Sequence, residues 1–111
     1  MPKSLPAKSV FGRRLREARL RSGIAQDRLG VMIGLDEGCS SARMSRYENG
    51  VHEPPFPVIT SIAGILKLPV AYFFCDDDRL AEIIRTYSSS SEKTRQAIFD
   101  SVAAFSGKSA K

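Results

Sequence analysis

Cysteine and histidine are scarce in this chain, and the scarcity excludes several chemistries at once. Its 111 residues include only Cys39 and Cys75, with His52 as the single histidine. Two thiols make no disulfide framework, and one imidazole cannot complete the usual zinc-ligand spacings with them. Long apolar runs are missing too. The longest, Val70 to Cys75, falls far short of the roughly 18–20 residues that a bilayer-spanning helix needs, and the N-terminus lacks the apolar core of a signal peptide. A cytoplasmic chain with reduced thiols and no membrane association is expected. Nothing suggests catalysis. His52 stands in a turn without a carboxylate or cysteine pattern around it, and the run Asp76 to Asp78 reads better as a helix start than as paired acids. No enzyme activity, metal or cofactor is therefore expected. Alternation of the β type and internal repeats are also lacking.

What the chain does have is an uneven charge. The net charge is +5, and all of that excess falls in residues 1 to 50, where ten Lys/Arg face five acids; the remaining residues carry seven of each sign. A basic half joined to a neutral half is the footprint of one face meeting a polyanion while the other does a different job. A basic surface kept for solubility would look the same by charge alone.

The periodicity is helical throughout. Residues 1 to 8, with two prolines, read as a flexible basic arm, and Ser9 is placed to cap a first helix with Phe11, Leu15 and Ala18 on its apolar stripe. The arginines at 13, 14, 16 and 21 are expected to point elsewhere. A second helix from about Gln26 to Ile33 turns Leu29, Met32 and Ile33 inward and stops at Gly34. A third begins with Ser40 or Ser41 as cap, buries Met44 and Tyr47, and ends at Asn49-Gly50. Pro57 opens a fourth with Val58, Ile62, Ile65 and Leu66, and Pro69 a short fifth carrying Tyr72 to Phe74. Beyond Asp76 to Asp78, Leu80, Ile83, Ile84 and Tyr87 recur at helical spacing. A seventh helix, capped by Ser91, carries Thr94, Ile98, Val102 and Phe105 before a tail from 106 to 111.

Between Phe11 and Phe74 the chain carries, in order, Phe11-Gly12, Leu15-Arg16, Arg19, Gly23-Ile24, Gln26, Leu29-Gly30 and Ile33-Gly34-Leu35, then Met44-Ser45-Arg46-Tyr47-Glu48-Asn49-Gly50, Pro54, Ile62-Ala63, Leu66 and Leu68-Pro69-Val70. In this order the segment resembles the phage-repressor type of helix-turn-helix domain, also called the Cro/repressor or xenobiotic-response-element family. The resemblance implies a five-helix DNA-binding domain over residues 9–75; with the two C-terminal helices that the periodicity places over 76–105, the fold expected is all-α. A groove-reading helix needs small polar or basic residues on one side and packing residues on the other, and residues 41 to 47 alternate in that way. Ser40, Ser41, Ala42, Arg43, Ser45 and Arg46 are the expected DNA-facing residues, with Arg46 reading a base. The resemblance adds Gln26 and Asn49 as phosphate anchors, and Arg19 with Glu48 as a partly buried salt bridge.

Three departures from the family pattern stand out. Gly30 replaces the usual alanine, Ala25 replaces the usual serine or threonine cap of helix two, and about four residues are inserted around Asp36-Glu37-Gly38-Cys39. The insertion leaves the register and tilt of the recognition helix open. Leu80, Ile83, Ile84, Tyr87, Ile98, Val102 and Phe105 are expected to pair two copies, giving a homodimer on a palindromic operator in double-stranded DNA. The alternative is that these helices fold back on their own domain. The function expected is a transcriptional regulator, most simply a repressor. An antitoxin whose C-terminal helices clasp a toxin, or a protein-interaction module without DNA, are the competing readings.

Overall fold

A computed structural model of the protein describes residues 10–107; the basic arm, the Ser9 cap and the tail beyond 107 lie outside them. Seven helices follow one another: α1 Val10–Ser22, α2 Gln26–Met32, α3 Ser40–Glu48, α4 Phe56–Leu66, α5 Val70–Phe73, α6 Asp78–Ser88 and α7 Glu92–Phe105. No strand occurs among the described residues, and no helix there is long and apolar enough to cross a membrane.

Each of the first five helices sends one large apolar side chain to the centre. Leu15, Leu29, Met44, Ile62 and Phe73 are all fully buried, and Phe11, Ala18, Tyr47, Ile59 and Tyr72 close around them. Phe11 stacks obliquely on Phe73 and Phe74, with ring centroids 5.9 and 5.6 Å apart. Burial of this order, about 1.5–3 kcal/mol per large side chain, is what holds helices as short as α2 and α5, which are too short to persist alone. The chain reverses between α3 and α4 through Gly50, whose φ of 77° lies where a Cβ would be strained.

Several local expectations are corrected. Met32 is 48% exposed, because α2 ends there and Ile33 turns toward the core in its place. Neither Ser40 nor Ser41 caps α3; Cys39 holds the cap position without a side-chain bond. Pro69 is the cap of α5 rather than its first residue. Arg14, expected on the solvent side of α1, is among the most buried residues of the chain at 3% exposure. It lies three residues after Phe11 and four before Ala18, on the same face as the apolar stripe.

The last two helices differ from the rest. Asp77 caps α6 by accepting from the backbone N–H groups of Arg79 and Leu80, and Ser91 caps α7 by accepting from that of Thr94. Helix α6 turns Ala81 into the core and rests Ile84 against it, so Ile84 is not on the free face expected of it. Leu80, Ile83 and Tyr87 remain exposed on the adjoining face. Helix α7 packs on α6 and buries none of its own residues; Phe99, Val102 and Phe105 are all exposed, and Ile98 is half-buried.

Candidate nucleic-acid interface

The recognition-helix candidate, α3, is held at both ends by glycines on neighbouring helices. At its C-terminal end α1 approaches so closely that a Cβ on Gly12 would stand 2.3 Å from the carbonyl oxygen of Glu48 and 2.7 Å from that of Tyr47. At its N-terminal end a Cβ on Gly30 would stand 2.5 Å from the Cβ of Ser40. The glycine that replaces alanine in α2 is thus a steric requirement of this particular α2–α3 crossing. Ser40 is the other half of it. Its hydroxyl donates to the Asp27 carbonyl at 2.9 Å and the residue is completely buried.

Ser40 therefore has no surface to offer DNA and, contrary to expectation, is not among the outward residues of α3. Its position answers the question raised by the insertion. Whatever path residues Asp36 to Cys39 take, α3 starts where Ser40 locks against Gly30 and Asp27, so the extra residues are taken up in the loop. Asp36 and Glu37 are exposed there. Gly30→Ala should lower stability by up to about 2 kcal/mol, since overpacking of about 1–3 kcal/mol is set against a helix-propensity gain of about 1 kcal/mol and the contact is with a fixed Cβ. Adding Ser40→Gly, which removes the clashing Cβ, should recover part of that loss in a urea melt; a double variant no better than the single one would reject the clash.

A buried polar network ties α1, α2 and α3 together at one edge of this surface. Arg19 donates from Nε to Glu48 Oε2 at 2.5 Å, from Nη2 to Glu48 Oε1 at 3.2 Å, and from Nη1 to the Ile24 carbonyl at 2.9 Å. Both side chains are nearly removed from solvent, at 9% and 2% exposure. Gln26 Nε2 also donates to Glu48 Oε1, at 3.0 Å, and Ser41 Oγ donates to Gln26 Oε1 at 3.4 Å. Gln26 is thus a brace between α2 and α3, a role its place in the sequence did not reveal.

What remains on the outside of α3 is small, polar or basic. Ser41, Ala42, Arg43, Arg46 and Asn49 are exposed; Ser45 is half-buried and accepts a bond from Asn49 Nδ2 at 3.2 Å. The ion pairs of the described residues engage Arg13, Arg14, Arg19, Arg85 and Arg95, and leave the guanidinium groups of Arg43 and Arg46 unpaired. An outward row of this kind, on a helix braced at both ends, can enter a major groove and present donors to base edges and phosphates. Among the described residues no cluster of His, Cys, Asp or Glu could hold a metal ion.

The family model described as a helix-turn-helix domain matches residues 10–71. The chain belongs to that family. It is also similar to the solved structure "Crystal structure of transcriptional regulator BswR", with 36% sequence identity and a TM-score of 0.81 over 84% of this chain and 92% of the other. A shared fraction that large reaches past the first five helices, so the likeness includes part of the α6–α7 extension. No curated protein matches the chain by sequence.

A second charged cluster lies away from α3, where α1 meets the start of α6. Arg14 donates from Nε to the Cys75 carbonyl at 2.7 Å, from Nη2 to Asp78 Oδ1 at 2.9 Å and from Nη1 to Glu17 Oε1 at 3.0 Å, with its guanidinium 5.8 Å from the centre of the Tyr72 ring. Arg13 donates to the same Asp78 oxygen at 3.0 Å. Burial opposes the charge on Arg14, but the bonds to Asp78 and Glu17 outweigh it and hold the guanidinium above its ordinary pKa. The bonds from Arg13 and Arg14 hold the Asp78 carboxyl below the usual aspartate range.

Proposed function

We propose that this chain is a sequence-specific DNA-binding transcriptional regulator of the phage-repressor type, acting from the cytoplasm as a homodimer on a palindromic operator and repressing by occupying it. The observation that carries the reading is the outward face of α3: Ser41, Ala42, Arg43, Arg46 and Asn49 exposed on a helix whose other side is locked by Gly12, Gly30 and the Arg19–Glu48–Gln26 network. The likeness to a protein described as a transcriptional regulator supports it. Arg46 reads a base, Arg43 and Asn49 meet phosphates, and Gln26 joins them at the start of α2. The reading involves no catalytic step and no cofactor.

The dimer rests on the outer face of α6–α7. Leu80, Ile83, Tyr87, Phe99, Val102 and Phe105 are exposed on two successive helices, and a 14-residue helix with no buried residue of its own gains its packing from another surface. A second copy brings the same face and two recognition helices to two half-sites of one operator. Selection of bound sequences from a random DNA pool tests function and assembly together. An inverted repeat with a fixed spacing is expected; a single unrepeated site would reject the homodimer, and no enrichment at low salt would reject DNA reading altogether.

A further inference from the structure

Helix α1 holds the recognition helix and the dimer helices through adjacent residues. Gly12 seats the end of α3 against α1, and the next two residues, Arg13 and Arg14, both bind Asp78, the first residue of α6. Arg14 has no freedom to yield. It is buried, bonded on the Cys75 carbonyl that leads into α6, bonded on Glu17 within its own helix, and lies against the Tyr72 ring. Farther along α6, Ala81 is buried in the core and Ile84 rests on it, three and six residues after Asp78. Helix α6 is thereby fixed in direction along one face, while Leu80, Ile83 and Tyr87 on the adjoining face stay open.

From this arrangement we propose that Arg14, with Arg13 and Asp78, is a positioning clasp that sets the operator spacing the protein accepts. The inference rests on the homodimer reading given above. When two copies join through α6 and α7, the distance and angle between their α3 helices follow from the angle between α3 and α6 within each copy. That angle is set by these consecutive residues of α1 together with the seating of Ala81 and Ile84 on the core. A loose junction lets each reading head tilt and accept half-sites a base pair or two closer or farther apart; a rigid one accepts a single separation. The clasp touches no DNA. Its effect appears in the spacing between half-sites and not in the bases read within either.

The experiment uses the full chain and duplexes carrying two selected half-sites, with the separation stepped one base pair at a time, beside a duplex carrying one half-site. Wild type is expected to favour one separation over its neighbours by about tenfold or more, as rigid two-site binding requires. Arg14→Met keeps a buried stem but loses every bond of the guanidinium; Asp78→Ala removes an exposed carboxylate and remains informative if Arg14→Met does not fold. Each variant is expected to sediment as a dimer and bind its best single half-site as its other properties dictate, with the preference among separations reduced to about threefold or less. The preference is a ratio within one protein, so the charge change in Asp78→Ala cancels. Folded, dimeric variants that keep the wild-type preference overturn the clasp alone; a wild-type protein that sediments as a monomer overturns the clasp and the dimer together.

Discussion

Glu48→Ala is expected to lower the free energy of unfolding by about 3–5 kcal/mol, because it leaves Arg19 buried with its counter-charge removed. Glu48 accepts from two Arg19 nitrogens and from Gln26 while only 2% of its side chain is exposed. Without it, the Arg19 guanidinium keeps a single bond, to the Ile24 carbonyl, in a site closed to water. A domain of this size has about 5–15 kcal/mol of stability in all, so the loss would take a large share of it. Glu48→Gln preserves the shape and some of the bonds and should cost less. Replacing both partners with apolar side chains, Arg19→Met with Glu48→Leu, should cost less than Glu48→Ala, since no buried charge is then left alone. Urea midpoints at constant slope measure all of these. A loss below about 1 kcal/mol for Glu48→Ala would mean that water reaches the pair and that the network contributes little.

The same substitution reaches the candidate interface. Glu48 is the last residue of α3 and Gln26 the first of α2, so their bond fixes how the two helices present their outer faces. Stability and recognition are coupled through that contact. A one-sided break is expected to weaken DNA binding even at temperatures where the variant remains folded.

The helices were legible because their apolar residues recur every three or four positions, and each stripe from Phe11 to Tyr87 marks a helix of the structure. Less legible was how the stripes meet. Ser40 carries the composition of a DNA-facing residue, but it is consumed by the crossing with α2; only the closeness of Gly30 and of the Asp27 carbonyl, ten and thirteen residues earlier in the chain, explains why. Arg14 was hidden by its charge. Its spacing from Phe11 and Ala18 fits the buried stripe, but a guanidinium is expected in solvent, and the partners that satisfy it, Cys75 and Asp78, lie more than sixty residues on, beyond the reach of a local pattern. Gln26 showed the same limit. A residue type suited to a phosphate also suits a carboxylate, and the network around Glu48 became visible only when α2 and α3 were brought together.

Arg46→Ala should flatten the base preference at one position of each half-site while Arg43→Ala weakens every sequence alike. Arg46 is exposed in the last turn of α3, unpaired among the described residues, and its fork matches the O6 and N7 acceptors of guanine in the major groove. A bidentate contact discriminates by about 1–3 kcal/mol, so selection with Arg46→Ala should lose roughly five- to 150-fold of the preference at that position. Arg46→Lys keeps the charge and loses the fork, and should restore affinity without restoring the preference. Arg43 and Asn49 flank that position and are assigned to phosphates. Arg43→Ala should leave the selected sequence intact and reduce the dependence of log affinity on log salt by about one per half-site, hence about two for the dimer on its operator. Gln26→Ala should also lower affinity evenly, with an added loss of stability because Glu48 loses a donor. The assignment of roles depends on this division: if Arg46→Ala merely weakens all sequences equally, then Arg46 meets a phosphate and the base is read from another position on the same face.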